Sequence, residues 1–336
     1  MTRFVLITLG MVALLALSLV FGGVWAWAAL FYITVFTFFM DKLAAMAAPE
    51  RPDQEFPAGH GLSTFLALVH FPLLFGGALV LSSGTMGWAY GVPAFFALAL
   101  FFGQVSNSNA HELIHRADRF GHRLGVAVYV SLLFGHHASA HPKVHHIHAA
   151  TDKDPNSAKL GEGFYAFAIR AWWGSFREGH RAETAFRGRK LNAGGVHPYK
   201  IYGAGALVCL AVITLAGGGP ALAVYVGLAV YAQLQLMLSD YVQHYGLRRK
   251  KRNDGRYEPV GPQHSWNAPH GFSSGLMLNA PRHSDHHANP TRSYPNLTLD
   301  RAAMPILPHS LPVMAVLALL PPVWRNIMDK RAKKWA

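Results

Sequence analysis

The sequence predicts an all-α integral membrane protein with six transmembrane helices, a histidine-rich cytoplasmic cap, and both termini in the cytoplasm. Three observations predict it. Of the 336 residues, 51% are hydrophobic and only 14% are charged, against roughly 25% charged in an ordinary globular chain. From Phe4 to Met40 there is no charged residue at all. The 30 Lys and Arg residues avoid the short turns between apolar runs. A disordered chain, a coiled coil and most soluble enzymes are excluded by the same figures.

A hydrocarbon core about 30 Å thick takes roughly 20 helical residues. The first apolar stretch is nearly twice that, and Gly22-Gly23 divides it into spans at 4–21 and 24–40. Because it overruns a signal peptide and continues into a second span, it is expected to be retained. A second pair covers 61–82 and 87–109 around Ser82-Ser83-Gly84-Thr85, and a third covers 201–216 and 220–240 around Gly217-Gly218-Gly219-Pro220. Every basic residue lies at the N-terminus, in 41–60, in 110–200 or after 240. The positive-inside rule then puts the long loops in the cytoplasm, with 110–200 and 241–336 forming the cap of a single domain, 1–336. The expected location is the inner (cytoplasmic) membrane. Leu124–Gly135 is too short to span and is expected to be buried or interfacial, while Leu311–Met328, broken at Pro321-Pro322, is expected to pack on the cap.

Twenty histidines and one cysteine set the chemistry. A lone Cys209 excludes a disulfide framework, a zinc ribbon and any Cys-ligated electron-transfer domain in this chain. The histidines cluster as His111-Glu-Leu-Ile-His115, His141-Pro-Lys-Val-His145-His146 and His283-Ser-Asp-His286-His287, with His244 just past the sixth span. On a helix, positions i and i+4 share a face, so His111 and His115 can reach one centre. Packed neutral imidazoles gain little from one another, whereas a cation uses every lone pair. Nine candidate ligands exceed what one ion takes with a position left open, so two ions are expected. Imidazole suits zinc, copper, iron and nickel alike. Glu112 invites comparison with the HExxH zinc proteases, but such a site needs only three protein ligands. A metal transporter is the other alternative, and it would place ionisable residues in the spans, where the first, second and fifth have none and His70 stands alone in the third.

In these residues the chain resembles the membrane fatty-acid desaturases and hydroxylases, whose boxes are HxxxH, HxxxHH and HxxHH. The finer resemblance is to their alkane 1-monooxygenase and xylene monooxygenase branch. It rests on His111–Arg116, Asp154-Pro155 with Gly161-Glu162, His244-Tyr245-Gly246-Leu247, His264-Ser265-Trp266-Asn267 and the run Arg282–Arg292. The resemblance implies a non-haem di-iron hydroxylase acting on the terminal carbon of an alkane or alkyl chain. Its ligands would be His111, His115, His141, His145, His146, His244, His283, His286 and His287. A desaturase, or a hydroxylase of an aromatic methyl or another lipid, is the alternative within the same chemistry. Departures from the family pattern fall at Ala140, where the family has Glu, at Asp240-Tyr-Val-Gln243, where it has Asn and Glu, and at Ala280-Pro281 in place of Leu-Gln.

Asp285, Asp154 and Glu162 are candidate acceptors for ring N–H groups of the ligands, with solvated loop acids as the alternative. His264 and His270 are candidates for a place near the site. His122, His136, His137, His148 and His309 are read as residues behind the ligands, hydrogen-bonded structure or surface. Trp25, Trp27, Phe31, Phe65 and Phe71 are read as packing residues or interface anchors before walls of a substrate corridor. Breaking an unactivated C–H bond needs an oxidant that no side chain supplies. The apolar helices are expected to admit a hydrophobic substrate from the bilayer, and O2 is the second substrate. Electrons must come from outside the chain, and the resemblance implies a rubredoxin or a ferredoxin-type reductase. The run Arg248, Arg249, Lys250, Lys251 and Arg252 suits docking of such an acidic carrier, or attraction to anionic lipid. Nucleic-acid binding is not expected, since no aromatic-interleaved basic face accompanies the run.

Overall fold

A computed structural model describes residues 1–47, 60–189 and 195–335. Arg51 and Lys190, counted above among the basic loop residues, lie outside them. Among the described residues the chain is helical, with only two isolated bridges, Lys251 to Tyr257 and Asn267 to Ile306.

Among the described residues, five helices are long and apolar enough to cross a membrane: α1 (Thr2–Phe21), α2 (Val24–Leu43), α3 (Gly61–Ser82), α4 (Trp88–Ile114) and, after two cap helices, the 47-residue Pro198–His244. The glycine turn between α1 and α2 is where the sequence puts it, with Gly22 and Gly23 at φ 62° and 56°. Only glycine adopts such conformations without strain. The cap helices are α5 (Arg119–Ser131) and α6 (Phe164–Gly188). Asp118 caps α5 by accepting from Gly121 N at 2.6 Å. The long helix, α7 (Pro198–His244), would measure about 70 Å if straight. It is not straight: Gly218, at φ 67° and ψ −163°, interrupts the helical backbone inside the glycine run that separates the predicted fifth and sixth spans.

Three helices carry wide π-type turns at mid-length: Tyr32–Phe36, Pro72–Gly76 and Phe102–Ser106. The second begins at Pro72, which lacks an N–H to continue the ordinary ladder. The third lies at a close crossing with α7, where a Cβ on Gly103 would sit 2.6 Å from Gln235 Cβ.

The intramembrane core joins Met11 and Leu15 of α1, Leu66 and Leu74 of α3, Leu98, Phe101 and Phe102 of α4, and Leu228 of α7. Ala97, Ala99, Ala221 and Ala232 are fully buried between these helices. Small residues let membrane helices approach closely when lipid is as apolar as the side chains. The opposite faces expose large apolar residues, with Leu6 at 68%, Trp88 at 89% and Leu215 at 88%, as expected for surfaces that meet acyl chains.

A second core lies in the cap. Phe164 and Phe167 of α6 pack with Tyr241 and Tyr245, Trp266, and the C-terminal helices α9 (Leu311–Ala318) and α10 (Pro321–Ala332) through Met314, Trp324 and Met328. The α8 helix (His283–Ala288) lies beside it in the cap. Leu311–Met328 therefore packs on the cap as the sequence predicts, and the 124–135 stretch belongs to the short α5 and the turn after it. The span ends are tied to the cap as well. Phe4 meets Tyr294 edge-on, with ring centroids 5.0 Å apart, and Asp41 Oδ1 accepts from Phe272 N and Ser273 N at 3.0 and 2.9 Å. The start of α1, the end of α2 and the C-terminal helix thus share the cap end of the molecule.

Candidate metal centre

Each histidine box is placed by a helix end. The α4 helix runs past its apolar stretch to Ile114, so His111 and His115 project from one face. His244 closes α7, and α8 carries His283, His286 and His287. The middle box is different. His137–Ala140 is an α-helical turn, His141–His145 is a π turn, and His146–His148 follows. A π turn bonds i to i+5, so His141 and His146 share a face while His145 points elsewhere.

The nine histidines therefore gather as two adjoining groups. His111, His115, His141, His146 and His286 form one, and His145, His244, His283 and His287 form the other; within each, the ligand-capable atoms lie within 4.8 Å of one another. In the first group Nε2 of His141 lies 2.6 Å from that of His111 and 2.9 Å from that of His146, which is 3.0 Å from that of His286. In the second, His283 Nε2 lies 3.0 Å from that of His244 and 3.1 Å from that of His287. The rings of His146 and His287, one from each group, are 4.7 Å apart.

The donor set fits metal ions. Two nitrogens bound at right angles to one ion at about 2.1 Å would lie about 3.0 Å apart. Nε2 of His115 and of His145 are buried with no hydrogen-bond partner. An orphaned buried nitrogen is costly unless something uses its lone pair. Burial also holds the rings neutral, and therefore ready to ligate. His283 is pushed down to about 3 and His115 to about 4, and His141, His146, His286 and His287 fall well below the usual imidazole value.

His145 is the exception. Burial opposes its charged form, but the Asp154 carboxylate outweighs that and raises its pKa. Asp154 is in turn held below the usual carboxylate range, against its own burial, by His145, Ser157 and Asn156 N–H. His145 Nδ1 lies 2.9 Å from Asp154 Oδ2, and Ser157 Oγ donates to the same oxygen at 2.6 Å. Asn156 N donates to Asp154 Oδ1 at 3.1 Å, and its side chain donates to Asp240 Oδ2 at 2.6 Å. This chain of bonds locks one imidazole to the loop and the loop to α7. Asp154 therefore meets the ring of one candidate ligand, the contact through which a carboxylate orients an imidazole.

Other candidates are used differently. Asp285 accepts from Arg292 through both oxygens, 2.8 and 2.7 Å, and from Asn289 Nδ2 and Thr298 N, so it braces α8 against the following loop. Glu162 pairs with Arg170 at 2.7 Å and accepts from Lys159 N, which ties the 157–162 turn to α6. Neither meets a ligand ring. His264 is engaged by Glu258 Oε1 at 3.1 Å and Gly261 N at 2.8 Å, and His270 lies in neither group. Glu112 accepts from Tyr294 N at 3.2 Å, which occupies the carboxylate that a zinc protease would aim at water. His70 is satisfied between Ser106 Oγ and Ser131 Oγ at 3.0 and 2.9 Å.

Sequence reasoning left His137 between a place behind the ligands, structure and surface, and gave Asp240 and Asn156 no role at the site. The His137 ring is 5.0 Å from that of His141 and lines a cavity of ≈ 50 Å³ together with His111, Tyr129, Asp240, Gln243 and His283. Its position in a histidine-dense stretch was the available signal. This volume holds one or two water-sized molecules, not an alkyl chain. Trp25, Trp27, Phe31 and Phe65 are exposed on the outer face, and Phe71 packs against His70. None of the five lines this cavity.

The departures from the family pattern have local reasons. Ala140 faces Gly179 of α6, where a Cβ would lie 2.9 Å from that of Ala140, so no longer side chain fits between them. Gln243 donates through Nε2 to Ala280 O at 3.0 Å and accepts from Ser239 Oγ at 2.8 Å. An ionised carboxylate could not donate in this way, and the amide joins two of the departing positions. The basic run is not a uniform patch. Arg248 donates to Leu247 O, and Arg249 to Glu258 O and Ile147 O, leaving Lys250, Lys251 and Arg252 as its exposed members.

Residues 86–317 match the protein family described as fatty acid desaturase. The chain is 33% identical to alkane 1-monooxygenase of Pseudomonas putida over 276 residues, 81% of this chain and 68% of that protein. It is 35% identical over 256 residues to alkane 1-monooxygenase 1 of Alcanivorax borkumensis, covering 73% and 62%. It is 27% identical over 252 residues to the hydroxylase component of xylene/toluene monooxygenase of Pseudomonas putida, covering 71% and 64%. The chain thus spans about two thirds of the length of these curated relatives. With its histidine boxes folded into two metal-ready groups at the ends of membrane helices, the chain belongs to the fatty acid desaturase family, in the branch of the alkane and xylene monooxygenases.

Proposed function

We propose that this protein is a membrane non-haem di-iron monooxygenase that hydroxylates the terminal carbon of alkanes or alkyl chains. It would use O2 and electrons from a separate carrier of the rubredoxin or ferredoxin-reductase kind. The observation that carries this reading is the pair of histidine groups, five and four residues, whose ligand-capable atoms lie within 4.8 Å of one another, with Nε2 of His115 and His145 buried and unpartnered. The names of its relatives give the direction of the chemistry.

The ligands would be His111, His115, His141, His146 and His286 for one iron and His145, His244, His283 and His287 for the other. Bound iron would supply the oxygen-activating redox chemistry that side chains lack. The chain's own residues do the rest. Burial keeps the imidazoles neutral and their lone pairs free, while Asp154 fixes the ring of His145. The cavity between Gly103, Ser108, Leu236 and the histidines, ≈ 50 Å³, is of a size for a diatomic or water-sized molecule beside the histidines.

The arms of α7 on either side of Gly218 serve as separate crossings, which makes six spans in all. The cap, both termini and the metal centre face the cytoplasm across the inner membrane. Supporting this arrangement, the basic residues concentrate at the cap end, where α1 begins and α10 packs.

Purified protein supplied with a working electron donor and offered octane, a fatty acid and xylene tests the reading. Two irons per chain and 1-octanol are the expected results. An alkene product would assign desaturation, and a benzylic alcohol in place of octanol would assign aromatic-methyl hydroxylation. Iron well below two per chain, with no oxygenated product from any of the three, overturns the proposal.

A further inference from the structure

Away from the histidine groups, a groove of ≈ 900 Å³ opens between α6 and the beginning of α7. Its cations are Arg177, Arg181 and Lys200, and its aromatic walls are Phe176, Tyr199 and Tyr202. Among the described residues no carboxylate lines it. Arg181 is paired with Glu178 at 2.6 Å, and nearby Glu183 is committed to Lys143. Among the described residues Arg177 and Lys200 have no acidic partner, and both are exposed. Two converging cations without a counter-charge make a site for an anion.

The surroundings say what kind of anion. Along α6, Tyr165, Ile169, Trp173 and Phe176 follow one another at helical spacing and are 59%, 76%, 57% and 37% exposed. Trp172, Trp173 and Phe176 stack on one another with centroids 5.7 to 6.0 Å apart. Below Lys200, α7 at once presents Ile201, Leu207 and Val208 outward, 54%, 67% and 61% exposed. The cations therefore stand at the edge of the apolar surface, beside an aromatic cluster of the kind that marks membrane interfaces. A soluble anion would need the charges but not the apolar apron.

We infer that this groove is a headgroup site for an anionic phospholipid, the phosphate held by Arg177 and Lys200 and the acyl chains lying along the outer face of α7. Arg181 completes the rim. The site is separate from the 248–252 run and needs no occupied metal centre.

Native mass spectrometry of the full chain in detergent, with phosphatidylglycerol and phosphatidylcholine of identical acyl chains at equal concentration, tests this. Wild-type protein should retain phosphatidylglycerol in excess. The double variant Arg177→Gln with Lys200→Gln should lose that preference, by about fivefold for each charge removed. Arg177→Lys with Lys200→Arg should keep most of it, as should the charge-matched control Lys330→Gln with Lys333→Gln. Equal retention of the two lipids by wild type, or an unchanged preference in the double glutamine variant, overturns the inference. Glycerol phosphate, which has the headgroup charge without the chains, is the second arm. If it displaces the lipid as effectively as a second phospholipid does, the groove is a free-phosphate site and the lipid assignment fails.

Discussion

Asp154 is the residue on which the orientation of the second histidine group turns. Its carboxylate holds His145 Nδ1 and is itself fixed by Ser157 and Asn156. Outer partners of this kind typically change metal affinity by about 10- to 100-fold when removed. Asp154→Asn should therefore lose iron to a chelator at a concentration about tenfold or more lower than wild type, while its helical content is retained. Unchanged chelator resistance would show that the ring is held by other means. Ala140→Glu makes a different test. Overpacking costs about 1–3 kcal/mol, and the Ala140–Gly179 contact leaves no room, so a lowered thermal midpoint in detergent is expected. At this scale the nine histidines were legible because their spacing is local. Of the three acids only Asp154 meets one of these rings, and the roles of the other two were not legible, because nearby cations claim them first. Asp285 is claimed by Arg292, Glu162 by Arg170 and His264 by Glu258, and nothing in residue type distinguishes these pairs from ligand-orienting ones. His137 stands four residues before His141, itself a ligand-type spacing, but spacing alone does not separate it from a histidine beside the site.

The spans show what periodicity and turn chemistry can do for an element. Gly22-Gly23 and the 217–220 run were placed correctly because positive φ is a property of single residues. At φ 67° and ψ −163°, Gly218 occupies a region essentially reserved for glycine, where other residues cost about 1–3 kcal/mol. Gly218→Ala should lower stability by that amount in a thermal or denaturant scan, whereas the same change at Gly219, whose Cβ would meet nothing within 4 Å, should cost far less. Equal effects at the two positions would remove the kink from the account. The π turns were not legible. That at His141–His145 splits the middle box between the two groups, and a four-residue spacing alone would have put His141 with His145. Its cause is distributed, with Pro142 inside the turn and α6 packed against the segment before it at Gly179.

In the whole molecule, a membrane-embedded apolar core carries a polar centre at one end. If the cap faces the cytoplasm, single cysteines introduced at Ser83 and Lys333 in a Cys209→Ser background should differ in access. A membrane-impermeant maleimide should label the Ser83 position in intact cells and the Lys333 position only after lysis. The reverse pattern would invert the orientation. The central claim is that the two histidine groups are two metal sites, and iron content per folded chain tests it most directly. The account predicts two irons in wild type, with His286→Ala and His283→Ala each reducing occupancy while His270→Ala leaves it at two. One iron or fewer in correctly folded wild-type protein, or unchanged iron in both ligand variants, would contradict it.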